Sequence, residues 1–268
     1  MQDIVIIGGG PAGLSAAITA RIRNNSVAII SNDRTKSPLS KAPLVDNYPG
    51  LPNISGLELL EKLAGHAADA GANTIIGKVS AILPTGKTFQ VGFGSDIMES
   101  KSIILATGLT QTSLFPGEEA LLGRGVSYCA TCDGMLFRGK KVCVACLAPD
   151  ADEEADYLTS IGCEVVKINT RNIIINGENT VTSVTADGKE IECAGVFILR
   201  PAIAPQLLLS GIETSDGYIL ASPSGETNIP GIFAAGDCLG APHQIAKAVG
   251  QGQIAALSAS TYIRGNLG

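Results

Sequence analysis

Residues 4–7, Ile-Val-Ile-Ile, form an unbroken apolar run of β-branched side chains, which predicts a buried strand of a parallel sheet. An alanine-rich stretch from about residue 14 to 23 follows, suited to a helix lying close against that strand. A second β-branched run at 27–30 completes a strand–helix–strand unit. Residues 34–56 then break the pattern with turn chemistry, including Lys36-Ser37-Pro38-Leu39 and Asn47-Tyr48-Pro49-Gly50, and loops of that length usually carry function. Leu57, Leu60, Leu63, Ala64 and Ala67 recur at helical spacing and predict a helix from about 56 to 70, with His66 at its surface. Short runs at 75–76, 79–83, 88–93 and 97–100, separated by Pro-Thr-Gly and Gly-Ser turns, predict a β-meander. The run 102–105 reads as a further buried strand, ending in Ala106-Thr107-Gly108.

In the second half, strands are expected at 140–146, 164–168, 173–175 and 181–186, with a helix over 152–161. That is a second β-α-β unit. An apolar strand then runs into Gly236-Asp237, and residues 244–262 read as a long, alanine-rich final helix. The pattern is α/β, and 268 residues favour two domains over one core. The expected division assigns residues 1–115 and 198–268 to one domain and 116–197 to a middle domain, with Phe115-Pro116-Gly117-Glu118 as the linker.

Composition narrows the function classes. Charged residues are 16% and hydrophobic ones 45%, with 32 glycines, the profile of a compact fold with many tight turns. A net charge of -6 without a Lys/Arg run argues against nucleic acid as the main partner. No apolar run approaches a membrane span, and the first strand leaves no room for a targeting segment before it. Seven cysteines in such a chain imply reduced thiols, and so a cytoplasmic location.

Gly8, Gly10 and Gly13, with Pro11 and Ala12 between them, form G-x-G-x-x-G at the join of the first strand and helix. The first glycine permits the turn, the second lets backbone approach a pyrophosphate, and the third lets helix and strand touch. Asp33 closes the second strand about 20 residues on, where an acid meets a ribose. Asp237 can reach a cofactor or cap the following helix segment, and the two roles are compatible. Cys129-Ala130-Thr131-Cys132-Asp133-Gly134 reads as a redox dithiol with a carboxylic acid beside it to trade a proton with the leaving thiolate.

The second unit departs from the dinucleotide pattern. Its glycine positions hold Cys146, Ala148 and Ala151, and Asp150, Asp152, Glu153 and Glu154 crowd the helix start, favouring the helix dipole but repelling a pyrophosphate. Asn169-Thr170-Arg171 offers one Arg where a 2′-phosphate calls for a cluster. Nicotinamide binding in the usual manner is therefore not expected. Cys129, Cys132, Cys143 and Cys146 also fit a four-thiolate metal spacing, but i and i+3 on a strand face opposite ways, so the plainer expectation is buried thiols and no metal. Cys163, Cys193 and Cys238 read as buried or incidental, and His243 as a helix-start residue.

G-x-G-x-x-G, Asn47-Tyr48-Pro49-Gly50, Ala106-Thr107-Gly108, the C-A-T-C-D-G stretch and Phe233-Ala234-Ala235-Gly236-Asp237 occur in the order found in the low-molecular-weight thioredoxin reductases, which nearly the whole chain resembles. The resemblance implies a two-domain flavoprotein disulfide reductase fold: a Rossmann-like FAD domain plus a truncated NADPH-domain-like module carrying the dithiol. It places FAD on the first glycine motif, Asp237 at the ribityl–phosphate region, and Asn47 and Gln244 beside the flavin ring, with Ile245 among the cofactor-binding residues. It makes Cys132 the flavin-facing thiol, Cys129 the one that attacks a thioredoxin disulfide, and Asp133 the proton donor. Members of the family are homodimers that rotate the dithiol domain between flavin and partner.

Lacking the second glycine motif and the Arg-rich NADPH motif, the chain is similar to the pyridine-nucleotide-independent branch, in which ferredoxin reduces the flavin. A flavin can gather single electrons and pass on a pair, and acidic ferredoxins would need a local basic patch, for which Arg138, Lys140 and Lys141, or Arg124, are the candidates. Two other enzyme readings share the missing nicotinamide site: a flavin dithiol oxidase using O2, and a related reductase with another donor or a second flavin. A non-catalytic flavin redox sensor is the alternative outside enzymes.

Overall fold

The computed structural model describes residues 1–109, 114–148, 151–200 and 204–266, and for Lys36 and Cys132 the backbone alone. The chain forms two compact units, Met1–Thr110 with Ala204–Gly268, and Gln111–Ile203.

In the first unit, β1 (Gln2–Ile7), α1 (Pro11–Ile22) and β2 (Val27–Ser31) make the opening strand–helix–strand, with β1 and β2 parallel and Ile4 opposite Val27. α2 (Gly56–Asp69) starts where Ser55 Oγ accepts the Glu58 N–H at 3.2 Å, a side-chain N-cap. β3 (Asn73–Ile76) joins the parallel edge beside β2 and is no part of the meander expected from sequence. β4 (Val79–Thr85), β5 (Thr88–Phe93) and β6 (Asp96–Leu105) are antiparallel neighbours. The runs at 97–100 and 102–105, read as two strands, are one. The first half of β6 pairs with β5, and the second half lies parallel to β1.

The second unit holds β7 (Val126–Ser127), α3 (Ala130–Asp133), β8 (Lys141–Cys146), α4 (Ala151–Ser160) and β9 (Glu164–Ile168). β10 (Ile173–Asn176), β11 (Ser183–Ala186) and β12 (Lys189–Glu192) form a separate antiparallel sheet, so the strand expected from 181 begins at Ser183. β13 (Gly195–Leu199), not anticipated from sequence, is buried throughout and forms the middle of a parallel sheet ordered β7-β13-β8-β9. Leu158, Ala155 and Ala151 of α4 pack with Val142, Val144, Phe197 and Ala130 into the core of this unit.

The chain returns to the first unit with α5 (Pro205–Leu208), the hairpin β14 (Thr214–Ser215) and β15 (Tyr218–Ile219), and then β16 (Ile232–Ala234) and α6 (Ile245–Asn266). β16 lies parallel to the second half of β6, giving a parallel run β3-β2-β1-β6-β16. α1 packs against both the sheet and α6, and a Cβ at Gly252 would stand 2.1 Å from the Ala12 carbonyl oxygen, so only glycine lets the helices meet there. Among the described residues no helix is long and apolar enough to cross a membrane.

Candidate functional site

Three segments converge at the carboxyl ends of β1, β6 and β16, where ligands bind in open parallel sheets. Gly8, at φ +114°, presses so close to Ala106 that a Cβ would stand 2.1 Å from the Ala106 oxygen. Behind it, a Cβ at Gly13 would stand 1.9 Å from the Gly8 oxygen. Gly10 differs: nothing lies within 4 Å of where its Cβ would be, so its surface is open. Gly10 caps α1 in extended backbone with no side-chain hydrogen bond, and Pro11 opens the helix. First-turn N–H groups have no intrahelical acceptor, so this uncapped start suits a pyrophosphate.

Gly236, at φ +89°, brings the β16 end to within 2.9 Å of Ala12 Cβ, measured from its own ideal Cβ position. Its N–H donates to Gln251 Oε1 on α6 at 3.1 Å, a link that no sequence spacing signals. Asp237 Oδ1 and Thr107 Oγ1 are shut off from solvent and find no hydrogen-bond partner among the described residues. Each such orphan costs about 1–3 kcal/mol, which a donor on a bound ligand would recover. The open glycine, the uncapped helix and the orphaned carboxylate oxygen together fit the phosphate and hydroxyl groups of a dinucleotide. Gly108, with nothing within 4 Å of its Cβ position, borders the same region.

Asp33 stands at the end of β2, where Oδ1 accepts from Thr35 N at 2.9 Å and Thr35 Oγ1 at 2.8 Å, so the acid also shapes its own turn. Asn47 Nδ2 donates to Gln244 Oε1 at 3.1 Å. The long loop and the start of α6 therefore meet, and Ile245 packs with Tyr48 and Leu51 against the core of Val45, Ile54 and Leu59. His66 and His243 are exposed.

In the second unit Cys129 is buried and held in a disulfide, while the thiol side of Cys132 lies outside the described residues. Ser127 organises the surroundings. Its Oγ donates to Asp133 Oδ2 at 2.7 Å and accepts the Cys129 N–H at 3.2 Å. Thr131 Oγ1 lies 3.4 Å from Cys129 Sγ. Glu154, on α4, accepts the Ala130 N–H at 3.1 Å. In the same unit, Glu118 and Arg200 form a buried bidentate ion pair that also takes the Tyr128 O–H at 2.9 Å and the Phe115 N–H at 2.8 Å. Burial, and then the neighbouring Glu118 charge, push the Tyr128 phenol far up, so it stays a proton-bearing donor.

The other five cysteines are free. Contact with Cys193 and burial push the Cys143 thiol up, burial raises Cys146 and Cys163, and burial lifts Cys238 to about 11, which leaves all four poor nucleophiles. With Cys129 oxidised and Cys143 turned to Cys193, the four-thiolate arrangement is not assembled, and no metal-holding cluster occurs among the described residues. At the β8–α4 turn, Asp152, Glu153 and Glu154 do occupy the first turn of α4; the expected contribution of Asp150 falls outside the described residues. Of the basic candidates, Lys141 pairs with Glu164 at 3.1 Å, Lys140 reaches the Leu136 carbonyl at 3.2 Å, and Arg124 folds onto Ala120.

The family model of the pyridine nucleotide-disulphide oxidoreductases matches residues 2–180 and 151–252. A thioredoxin reductase of Bacillus subtilis is 34% identical, over 98% of this chain and 95% of its own length. Among solved structures, a ferredoxin-flavin thioredoxin reductase from Clostridium acetobutylicum superposes with a TM-score of 0.91 at 38% identity, covering 98% of each chain. A thioredoxin reductase from Gloeobacter violaceus gives 0.82 at 28% identity, covering all of this chain and 95% of that one.

Proposed function

We propose, from the premise that this chain belongs to the thioredoxin reductases of the pyridine nucleotide-disulphide oxidoreductase family, that it carries electrons from reduced ferredoxin to thioredoxin. Membership makes it an FAD-dependent disulfide oxidoreductase. The observation that carries the donor assignment is the turn after β8. Where a nicotinamide dinucleotide would rest its pyrophosphate, α4 opens on three carboxylates and no glycine cradle precedes it. The similarity to the ferredoxin-flavin enzyme of Clostridium acetobutylicum supports the same assignment.

Gly8, Gly10, Pro11, Ala12 and Gly13 would hold the FAD pyrophosphate and Asp33 the ribose. Ala106, Thr107, Gly108, Gly236 and Asp237 would line the chain between them, with Asn47, Gln244 and Ile245 beside the ring. FAD supplies there the conversion between one-electron donors and a two-electron acceptor.

The protein's own chemistry runs through the dithiol. Two electrons enter the Cys129–Cys132 disulfide at Cys132, the flavin-facing sulfur, so Cys129 is the sulfur that departs; Asp133 trades a proton with it, giving one up as the bond breaks and taking it back before Cys129 attacks. Ser127 holds the Asp133 carboxyl toward the pair by its 2.7 Å hydrogen bond. Cys129 thiolate then attacks a thioredoxin disulfide, forming a mixed disulfide and expelling one thioredoxin thiolate. Cys132 thiolate attacks Cys129, releasing reduced thioredoxin and restoring the intramolecular disulfide. A homodimer is part of the proposal.

The test is a trapping experiment. In Cys132→Ser the mixed disulfide cannot be resolved, so a covalent adduct with thioredoxin accumulates through Cys129, whereas Cys129→Ser forms none. An adduct formed by Cys129→Ser alone would reverse the two roles, and an adduct from neither would remove thioredoxin as substrate.

A further inference from the structure

A carboxylate from α4 sits on the backbone of the dithiol helix. Glu154 Oε2 accepts the N–H of Ala130, the residue that follows Cys129, over 3.1 Å and across 24 positions of sequence. Two other acids on α4 are balanced: Lys167 Nζ binds Asp152 at 2.8 Å and Asp156 at 3.2 Å. Glu154 belongs to none of the ion pairs among the described residues. Beyond α3, Lys140 is turned to the Leu136 carbonyl and Arg138 lies along Gly162, while Asp133 adds a second carboxylate at the other end of α3.

We infer that Glu154 is a positioning residue that keeps the Cys129–Cys132 couple strongly reducing; this rests on the dithiol assignment above. A backbone N–H free to point at a cysteine stabilises its thiolate and makes its disulfide easier to reduce. Glu154 takes up the donor beside Cys129 and adds a negative charge next to where the thiolate forms. Both effects disfavour the reduced, ionised pair relative to the disulfide. Electrons placed on the pair therefore leave readily, as passing them to a partner disulfide requires.

The test uses FAD-loaded protein equilibrated anaerobically in dithiothreitol redox buffers, with alkylation and mass analysis of the peptide carrying Cys129 and Cys132. Glu154→Ala raises the ratio of reduced to oxidised pair roughly tenfold at a given buffer ratio, about 30 mV for a two-electron couple. Glu154→Gln keeps the acceptor but removes the charge, and shifts the equilibrium in the same direction by about a third of that factor. Asp156→Asn, paired elsewhere, leaves it unchanged. The rate of Cys129 alkylation against pH moves to lower pH in Glu154→Ala, which loosened packing alone would not produce. If Glu154→Ala fails to fold, Glu154→Gln decides. Wild-type equilibrium in both variants overturns the inference, and a wild-type peptide that shows no two-electron titration overturns the dithiol assignment and this inference with it.

Discussion

The Ser127 hydroxyl donates to Asp133 Oδ2 at 2.7 Å, and the same oxygen accepts the Cys129 N–H at 3.2 Å. One side chain thus ties the proposed proton donor to the backbone of the attacking cysteine. A general acid contributes about 100- to 10,000-fold, so Asp133→Ala should lose turnover with thioredoxin in that range. Ser127→Ala removes the one hydrogen bond that holds the acid, roughly 0.5–1.5 kcal/mol, so turnover should fall by about two- to tenfold. Flavin content should stay at the wild-type level in both. Assaying thioredoxin reduction beside the flavin absorbance ratio separates these effects, and unchanged turnover in Asp133→Ala would remove it as the acid.

Asp237 Oδ1 is buried without a partner among the described residues, the expected state of an acceptor whose donor is the cofactor. Asp237→Ala should weaken FAD binding by roughly 10- to 100-fold, the value of one hydrogen bond to a charged group. Asp237→Asn keeps an acceptor oxygen and should lose less. Flavin retained per protein after gel filtration measures both; full retention in Asp237→Ala would place the cofactor elsewhere.

The Glu118–Arg200 pair is buried, with Arg200 also stacked 4.8 Å over the Phe115 ring. Removing one partner of a buried pair typically costs about 3–5 kcal/mol, so Arg200→Ala should lower the urea midpoint sharply. Replacing both by apolar residues should recover only part of that loss, because Tyr128 and Phe115 would still lack the acceptor Glu118 gives them. Urea unfolding of the two variants checks the order. An Arg200→Ala midpoint equal to wild type would show the pair to be dispensable.

Much of the site could be read from sequence because its chemistry is local. The β1 run, the glycines and α1 are contiguous, and so is the Cys129–Asp133 stretch. What escaped depends on contacts that no spacing records. Gln251 reaches Gly236, and Glu154 reaches Ala130, only because α6 and α4 fold back onto distant segments. β6 looked like two strands because Lys101 interrupts the apolar run and the environment changes partway, from a meander edge to a buried parallel strand. Its two serines are accommodated by backbone: Ser100 Oγ donates to the Ser102 carbonyl at 2.6 Å, and Ser102 Oγ to the Gly231 carbonyl at 2.8 Å. The buried run of β13 carried a usable signal, four apolar residues after Gly195, but one too short to distinguish strand from helix by period.

The central claim is that electrons enter from ferredoxin and not from a nicotinamide dinucleotide. Anaerobic flavin absorbance, recorded after mixing with reduced ferredoxin, NADPH or NADH, tests it most directly. Rapid bleaching by reduced ferredoxin alone, followed by thioredoxin reduction, is the predicted result. Bleaching by NADPH or NADH at a comparable rate would contradict the account, because the acidic start of α4 would then have to hold a pyrophosphate.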